Sequence, residues 1–146
     1  MSKKYKQSKD KEIIEMEQEL EKALGNRDPV KEALKLYGLE NKVKVKYVML
    51  PGDNTGRISD DGKIIYLDPR QKKGTMFYTM LHELEHIAHK DYKKRISNMI
   101  PFLREAIEAK RYYDASVKSG EWYKRQIKKN ILGRIQNTFS NQEGII

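Results

Sequence analysis

All three histidines of this chain fall in one short stretch, Leu81-His82-Glu83-Leu84-Glu85-His86-Ile87-Ala88-His89. His82 and His86 are four residues apart. On a helix that spacing sets two imidazoles one turn apart on a single face, where both reach one metal ion. Glu83, one residue past His82, is not a ligand in this arrangement. It can lean over the open coordination position and accept a proton from water held there. Zinc lowers the pKa of such water towards ~7, which makes this hydrolytic chemistry at neutral pH. Cysteine is absent, which excludes thiolate ligands, disulfides and a cysteine nucleophile.

Met80, Leu84 and Ile87 flank the histidines, so the motif is expected to be at least partly buried. Imidazoles and a carboxylate on a buried face are costly unless something coordinates or hydrogen-bonds them. His89 shares the face of His82, but about 10.5 Å of helix rise separates the two, too far for one ion with ~2.1 Å bonds. His89 therefore reads as a structural or rim residue. With no cysteine and no fourth histidine, the third protein ligand must be a carboxylate, giving one zinc per chain held by two His and one Glu or Asp. The stretch after Pro101 offers Glu105, Glu108 and Asp114. Glu105 and Glu108 share a face that Tyr112 continues, and Asp114 points elsewhere. The residues alone leave Glu105 and Glu108 both open.

The elements that must position these residues are legible in periodicity. Residues 1–10 are polar and Lys-rich, and read as a disordered basic tail. Residues 11–146 read as a single domain. From about Asp10 to Leu24, Ile13, Ile14, Met16, Leu20 and Leu24 mark an amphipathic helix stopped at Gly25-Asn26. Asp28-Pro29 reads as an N-cap and first helical position, with Gly38 as the stop. Val43, Val45 and Tyr47 then alternate with lysines, as one face of a half-buried strand. Asp60-Asp61-Gly62 reads as a hairpin turn between Arg57–Ser59 and Lys63–Leu67. A third helix is expected from near Thr75 to about Lys90, with Met76, Phe77, Met80, Leu81, Leu84, Ile87 and Ala88 as its apolar stripe. A short connection, a helix from Pro101 to about Lys118 stopped by Gly120, and a last helix from Glu121 to Thr138 complete the chain. The expected class is α+β: a small antiparallel three-stranded sheet packed with helices, the active helix zincin-like.

The 146 residues suit one core. A composition 38% hydrophobic and 35% charged excludes a membrane-embedded protein and argues against wholesale disorder. There is no secretory signal and no bilayer-length apolar run, so a cytoplasmic location with no membrane partner is expected. The net charge of +9 raises a second functional class. Lys124, Arg125, Lys128, Lys129 and Arg134, with Trp122 and Tyr123 nearby, could lie on nucleic-acid phosphates. No phosphate-binding loop, zinc ribbon or recognisable helix-turn-helix accompanies them.

H-E-x-x-H is the pattern of zinc metallopeptidases. Phe77-Tyr78-Thr79-Met80-Leu81-His82-Glu83-Leu84-Glu85-His86 resembles the R-F-T-L-A-H-E-L-G-H segment of the ImmA/IrrE-type metallopeptidases. Glu108-Ala109-Lys110-Arg111-Tyr112 is similar to that family's E-A-N-x-F segment, and the Gly56–Asp68 hairpin to the strand pair before its active helix. The resemblance covers roughly residues 40–118. Glu85 stands in place of the family's glycine and Lys110 in place of its asparagine. The resemblance implies Glu108, rather than Glu105, as the third zinc ligand. It implies a stand-alone cytoplasmic endopeptidase acting on a protein substrate, a helix-turn-helix transcriptional repressor of a phage or other mobile element. In that mechanism Glu83 is the base, Tyr112 or Tyr113 is a candidate donor to the oxyanion, and the edge strand near Lys63–Leu67 pairs with an extended substrate. The alternatives are a DNA-associated SprT-like protease, which joins both functional classes, a basic nucleic-acid-binding protein, and a regulatory binder without turnover. The last has no use for Glu83.

Overall fold

The structure is a computed structural model that describes residues 2–90 and 101–143, with side chains over 11–90 and 101–136. In chain order the described elements are α1 (Ser2–Leu24), α2 (Pro29–Tyr37), β1 (Lys44–Tyr47), β2 (Gly56–Ile58), β3 (Ile64–Leu67), α3 (Lys73–Ala88) and α4 (Pro101–Glu143). The class is α+β, as expected. The connection expected between α3 and α4 falls mostly outside the described residues. No described helix is long and apolar enough to cross a membrane.

Helix α3 sits at the centre, with α1, α2, α4, β2 and β3 packed around it. That is why its burial is nearly continuous from Met76 to His86 rather than confined to one stripe. Leu20 and Leu24 of α1, Ile65 and Leu67 of β3, and Phe77, Met80, Leu81 and Leu84 of α3 are fully buried. Trp122 of α4 tilts onto Phe77 with ring centroids 4.6 Å apart. A buried Trp122 cannot stack on a nucleic-acid base, so the aromatic half of the nucleic-acid expectation fails there.

Helix α2 follows its local signals. The Asp28 carboxylate accepts from the Val30 amide at 2.9 Å, Pro29 occupies the first turn, and Gly38 closes the helix at φ 66°. Helix α1 begins at Ser2 rather than near Asp10, so the basic stretch read as a tail lies within it. Two features tie α1 to the start of α3. The Glu21 carboxylate accepts from the Gly74 amide, supplying the cap that Lys72 lacks. And Gly74 lets the two backbones touch: a Cβ there would lie 2.0 Å from the Glu17 carbonyl oxygen.

The sheet departs from expectation. Its order is β1-β3-β2, with β3 antiparallel to β2 (Ile58 opposite Ile65) but parallel to β1 (Val45 opposite Ile65). The Asp60-Asp61-Gly62 hairpin holds. After β1, however, the chain crosses over to the far edge of β3 instead of folding back beside β1. The buried Asp68 carboxylate helps hold that crossover by accepting from the Leu50 amide at 3.0 Å. Hydrogen bonding to Arg70 keeps Asp68 well below the ordinary carboxylate range. Two expectations fall with this topology. Strand β3 is central, so it has no free edge for a substrate. Strand β1 lies at the sheet margin, where Val43 is buried but Tyr47 is exposed.

The two C-terminal helices expected on either side of Gly120 are one helix, α4. Glycine inside a helix costs about 1 kcal/mol relative to alanine, which packing can offset. Here Ala115, Ser119, Trp122 and Gln126, all buried, form one seam that runs straight past Gly120. Tyr123 donates to Glu19 at 2.9 Å and Arg27 to Gln126 at 2.8 Å, fastening the seam to α1 and to the turn after it.

Replacing Gly74 with alanine should force α1 off α3. A loss of about 3 kcal/mol is expected, at the upper end for overpacking because the obstacle is backbone. A urea unfolding midpoint within error of wild type would show that the α1–α3 contact is not the constraint described.

Candidate metal centre

The site is carried by two helices, and each is held by its own packing. Helix α3 presents His82 and His86 on the face towards α4. Both are buried, as is Glu83 between them. Helix α4, fixed by the Ala115–Gln126 seam, presents Glu108 to the same place. The Glu108 carboxylate spans the pair, with one oxygen 2.9 Å from His86 Nε2 and the other 3.4 Å from His82 Nε2. One ligand atom from each residue lies within 4.8 Å of the other two. Donors 2.0–2.1 Å from a tetrahedral ion are ~3.4 Å apart, so the observed separations suit one zinc-sized cation. His82 Nε2 is buried without a hydrogen bond. A buried polar atom in that state calls for a partner, and a cation at the centre of the three donors is one.

Electrostatics agree with the geometry. Burial alone would lower the pKa of His82, but the Glu108 and Glu83 carboxylates outweigh it and push it up to about 9. Burial would raise Glu108, but the two imidazoles bring it down to about 2. Without a metal, the cluster therefore keeps a proton among its three donors.

Glu83 lies on the other side of His82, with Oε1 3.5 Å from Nδ1. Strand β2 approaches it through Gly56, where a Cβ would lie 2.7 Å from Thr79 Cγ2 and 3.3 Å from Glu83 Cγ. Thr79, one turn before Glu83, donates to Gln71 at 2.7 Å, and Gln71 donates to the Thr55 carbonyl at 2.9 Å. That chain of bonds ties the entry to β2 onto α3. Tyr112 lays its ring on His82, with centroids 3.7 Å apart and planes 7° from parallel. Its carbonyl accepts from the Tyr78 hydroxyl at 3.1 Å, which holds this turn of α4 against α3.

The residues nominated by sequence separate cleanly. His82, His86 and Glu108 come together with Glu83 and Tyr112 beside them. Glu105 is exposed and outside the cluster; Tyr112 and Tyr113 are both exposed, and of the two it is Tyr112 whose ring rests on His82. His89 turns away, 3.5 Å from Glu85 and 3.7 Å from Asp114. Asp114 is also paired with Lys110 at 2.9 Å and Arg111 at 3.2 Å. Glu85, where the resembled family has glycine, is buried and accepts from the Tyr37 hydroxyl. That contact was missed in sequence, although a carboxylate one turn past Leu81 on a buried face signals that a donor is needed. Gly56 reads in sequence as the start of a hairpin, and nothing in one sequence distinguishes a turn glycine from one that makes room for a neighbouring helix.

No protein-family model matches the chain, and no curated protein does. Among solved structures, the chain is similar to the crystal structure of the metallopeptidase zymogen of Pyrococcus abyssi abylysin. Identity is 24%, the match covers 75% of this chain and 93% of that one, and the TM-score is 0.42. A likeness at that level adds no weight to the site, which stands on its own geometry.

Metal ligation requires neutral imidazoles. With His82 at about 9 in the metal-free protein, zinc binding at pH 7 should expel a proton from His82, and this release should fade as pH rises through 9. Titration calorimetry in buffers of different ionisation enthalpy reads the number directly. A release that does not change between pH 7 and pH 10 would contradict the shift. The same raised pKa stabilises the metal-free fold fully below 6.5, the ordinary histidine value, and that contribution is lost as pH rises through 9.

Proposed function

We propose that this chain is a zinc-dependent endopeptidase. The observation that carries the reading is the convergence of His82, His86 and Glu108 on one cation-sized position, with Glu83 in the register of an H-E-x-x-H base. A bound zinc supplies a Lewis acid for the scissile carbonyl and a water that ionises near pH 7. Glu83 accepts the proton of the attacking water and returns it to the leaving amine, so the hydrolysis balances without another acid.

Tyr112 donates from its hydroxyl to the carbonyl oxygen as negative charge develops. Partial desolvation of the half-exposed ring against His82, with the Glu108 and Glu83 carboxylates, pushes its pKa up to about 12, which supports a phenol that stays protonated as a donor. The substrate lies as an extended strand along the outer edge of β2, the strand that Gly56 brings closest to Glu83. Recognition there is mostly through backbone. The resemblance to ImmA/IrrE-type metallopeptidases supports a cytoplasmic helix-turn-helix repressor as the protein cleaved.

Four variants separate the roles. Glu83→Gln should retain one zinc per chain but lower kcat about 10²- to 10⁴-fold on an unfolded protein substrate. Cleavage at the wild-type rate would remove Glu83 from the base role. Tyr112→Phe should keep zinc and lower kcat by about 10²-fold with little change in KM. Glu108→Ala should lose zinc while Glu105→Ala keeps it, and the reverse result would reassign the third ligand.

A further inference from the structure

Helix α4 changes the face on which it is apolar. As far as Gln126, its buried residues lie on the seam against α3 and α1. Continued by helical spacing, that seam reaches Asn130, Gly133 and Asn137, none of which can extend a core. The apolar residues instead become Ile127, Ile131, Leu132 and Ile135, between 39% and 50% exposed. At 100° per residue these four lie centred roughly 160° around the helix from the seam. They face away from the described body, and none of the described elements packs over them. The part of α4 beyond Gln126 runs on to Glu143, a further rise of ~26 Å.

Charge decides what covers this row. Lys124, Arg125 and Lys128 are exposed and lie within or beside it, and no acidic residue occurs between Trp122 and Gln142. A second copy of the chain would bring like charge against like. A nucleic acid would meet the cations but leave four branched apolar side chains in water. An anionic lipid surface satisfies both: the aliphatic side chains enter the headgroup–acyl boundary, and the lysines extend outward to the phosphates. We propose that the distal half of α4 is a docking surface for anionic membranes. The helix lies flat on the surface, with the proteolytic body on its opposite side. The composition excluded a spanning segment, and with it a membrane partner was excluded too; a helix lying in the interface needs no such segment.

The test is co-sedimentation of the full chain with vesicles of phosphatidylcholine alone or with phosphatidylglycerol added. Binding is expected only to the anionic vesicles, and it should weaken with salt. Ile131→Asp with Ile135→Asp should lower the partition coefficient at least about tenfold. Lys124→Glu with Lys128→Glu should do so by a similar factor. Both double variants alter exposed residues. Unchanged emission from Trp122, the single tryptophan, packed on Phe77, shows that the fold is intact in each. Failure of the wild type to sediment with anionic vesicles overturns the proposal, whether the protein then proves to bind duplex DNA or to dimerise through Ile131. Vesicle binding unchanged in the isoleucine variant overturns it as well. None of these readouts depends on peptidase activity.

Discussion

The structure turns on two imidazoles and a carboxylate buried in the middle of the core helix. Few arrangements are less favourable without compensation, because groups of this kind lose hydration worth several kcal/mol unless charge or hydrogen bonds replace it. Glu108 is that compensation, and it comes from a different helix. Its position therefore has to be as well determined as the core itself. The Ala115–Gln126 seam, the Tyr78 bond to the Tyr112 carbonyl and the stacking of Tyr112 on His82 all fix α4 to α3 around that one carboxylate.

The other flank of α3 shows the same logic with a different solution. Glu85 is buried one residue before His86, and it is satisfied by the Tyr37 hydroxyl of α2 and faced by His89. Burial, then Glu85, pushes the Tyr37 hydroxyl far above its ordinary pKa, so it stays a donor. Asp114 draws Lys110 and Arg111 to itself. One side of the helix thus leaves negative charge that a cation could meet, and the other has it neutralised by hydrogen bonds and fixed cations. This difference sets His82, His86 and Glu108 apart from Glu85, His89 and Asp114, although both groups offer three donors at short range.

Much of this was legible in sequence wherever the cause is local. The His82–His86 spacing, the α2 caps at Asp28 and Gly38, the hairpin at Gly62 and the apolar stripe of α3 depend on neighbours a few residues away. The features that were misread depend on partners far along the chain. Strand β1 alternates like an antiparallel strand, but its pairing with β3 is decided by a crossover that Asp68 helps to hold. Gly120 reads as a helix stop, yet Trp122 and Ala115 find a continuous surface on α1 and α3. Tyr47 fits an inward-facing pattern and is exposed because β1 is the margin of the sheet. Which of Glu105 and Glu108 faces the histidines depends on the rotation of α4, which no spacing within that helix supplies.

The seam has a temporal consequence. Its contacts join residues about a hundred positions apart, Glu19 to Tyr123 and Arg27 to Gln126. Glu108 cannot be held in place until those contacts form. On the ribosome, His82 and His86 emerge first, on a helix whose covering partner is still inside the exit tunnel. The three donors can converge only after Gln126 has cleared it, so the cluster is assembled late in the synthesis of each molecule, and a nascent chain carries its histidines without the carboxylate that meets them.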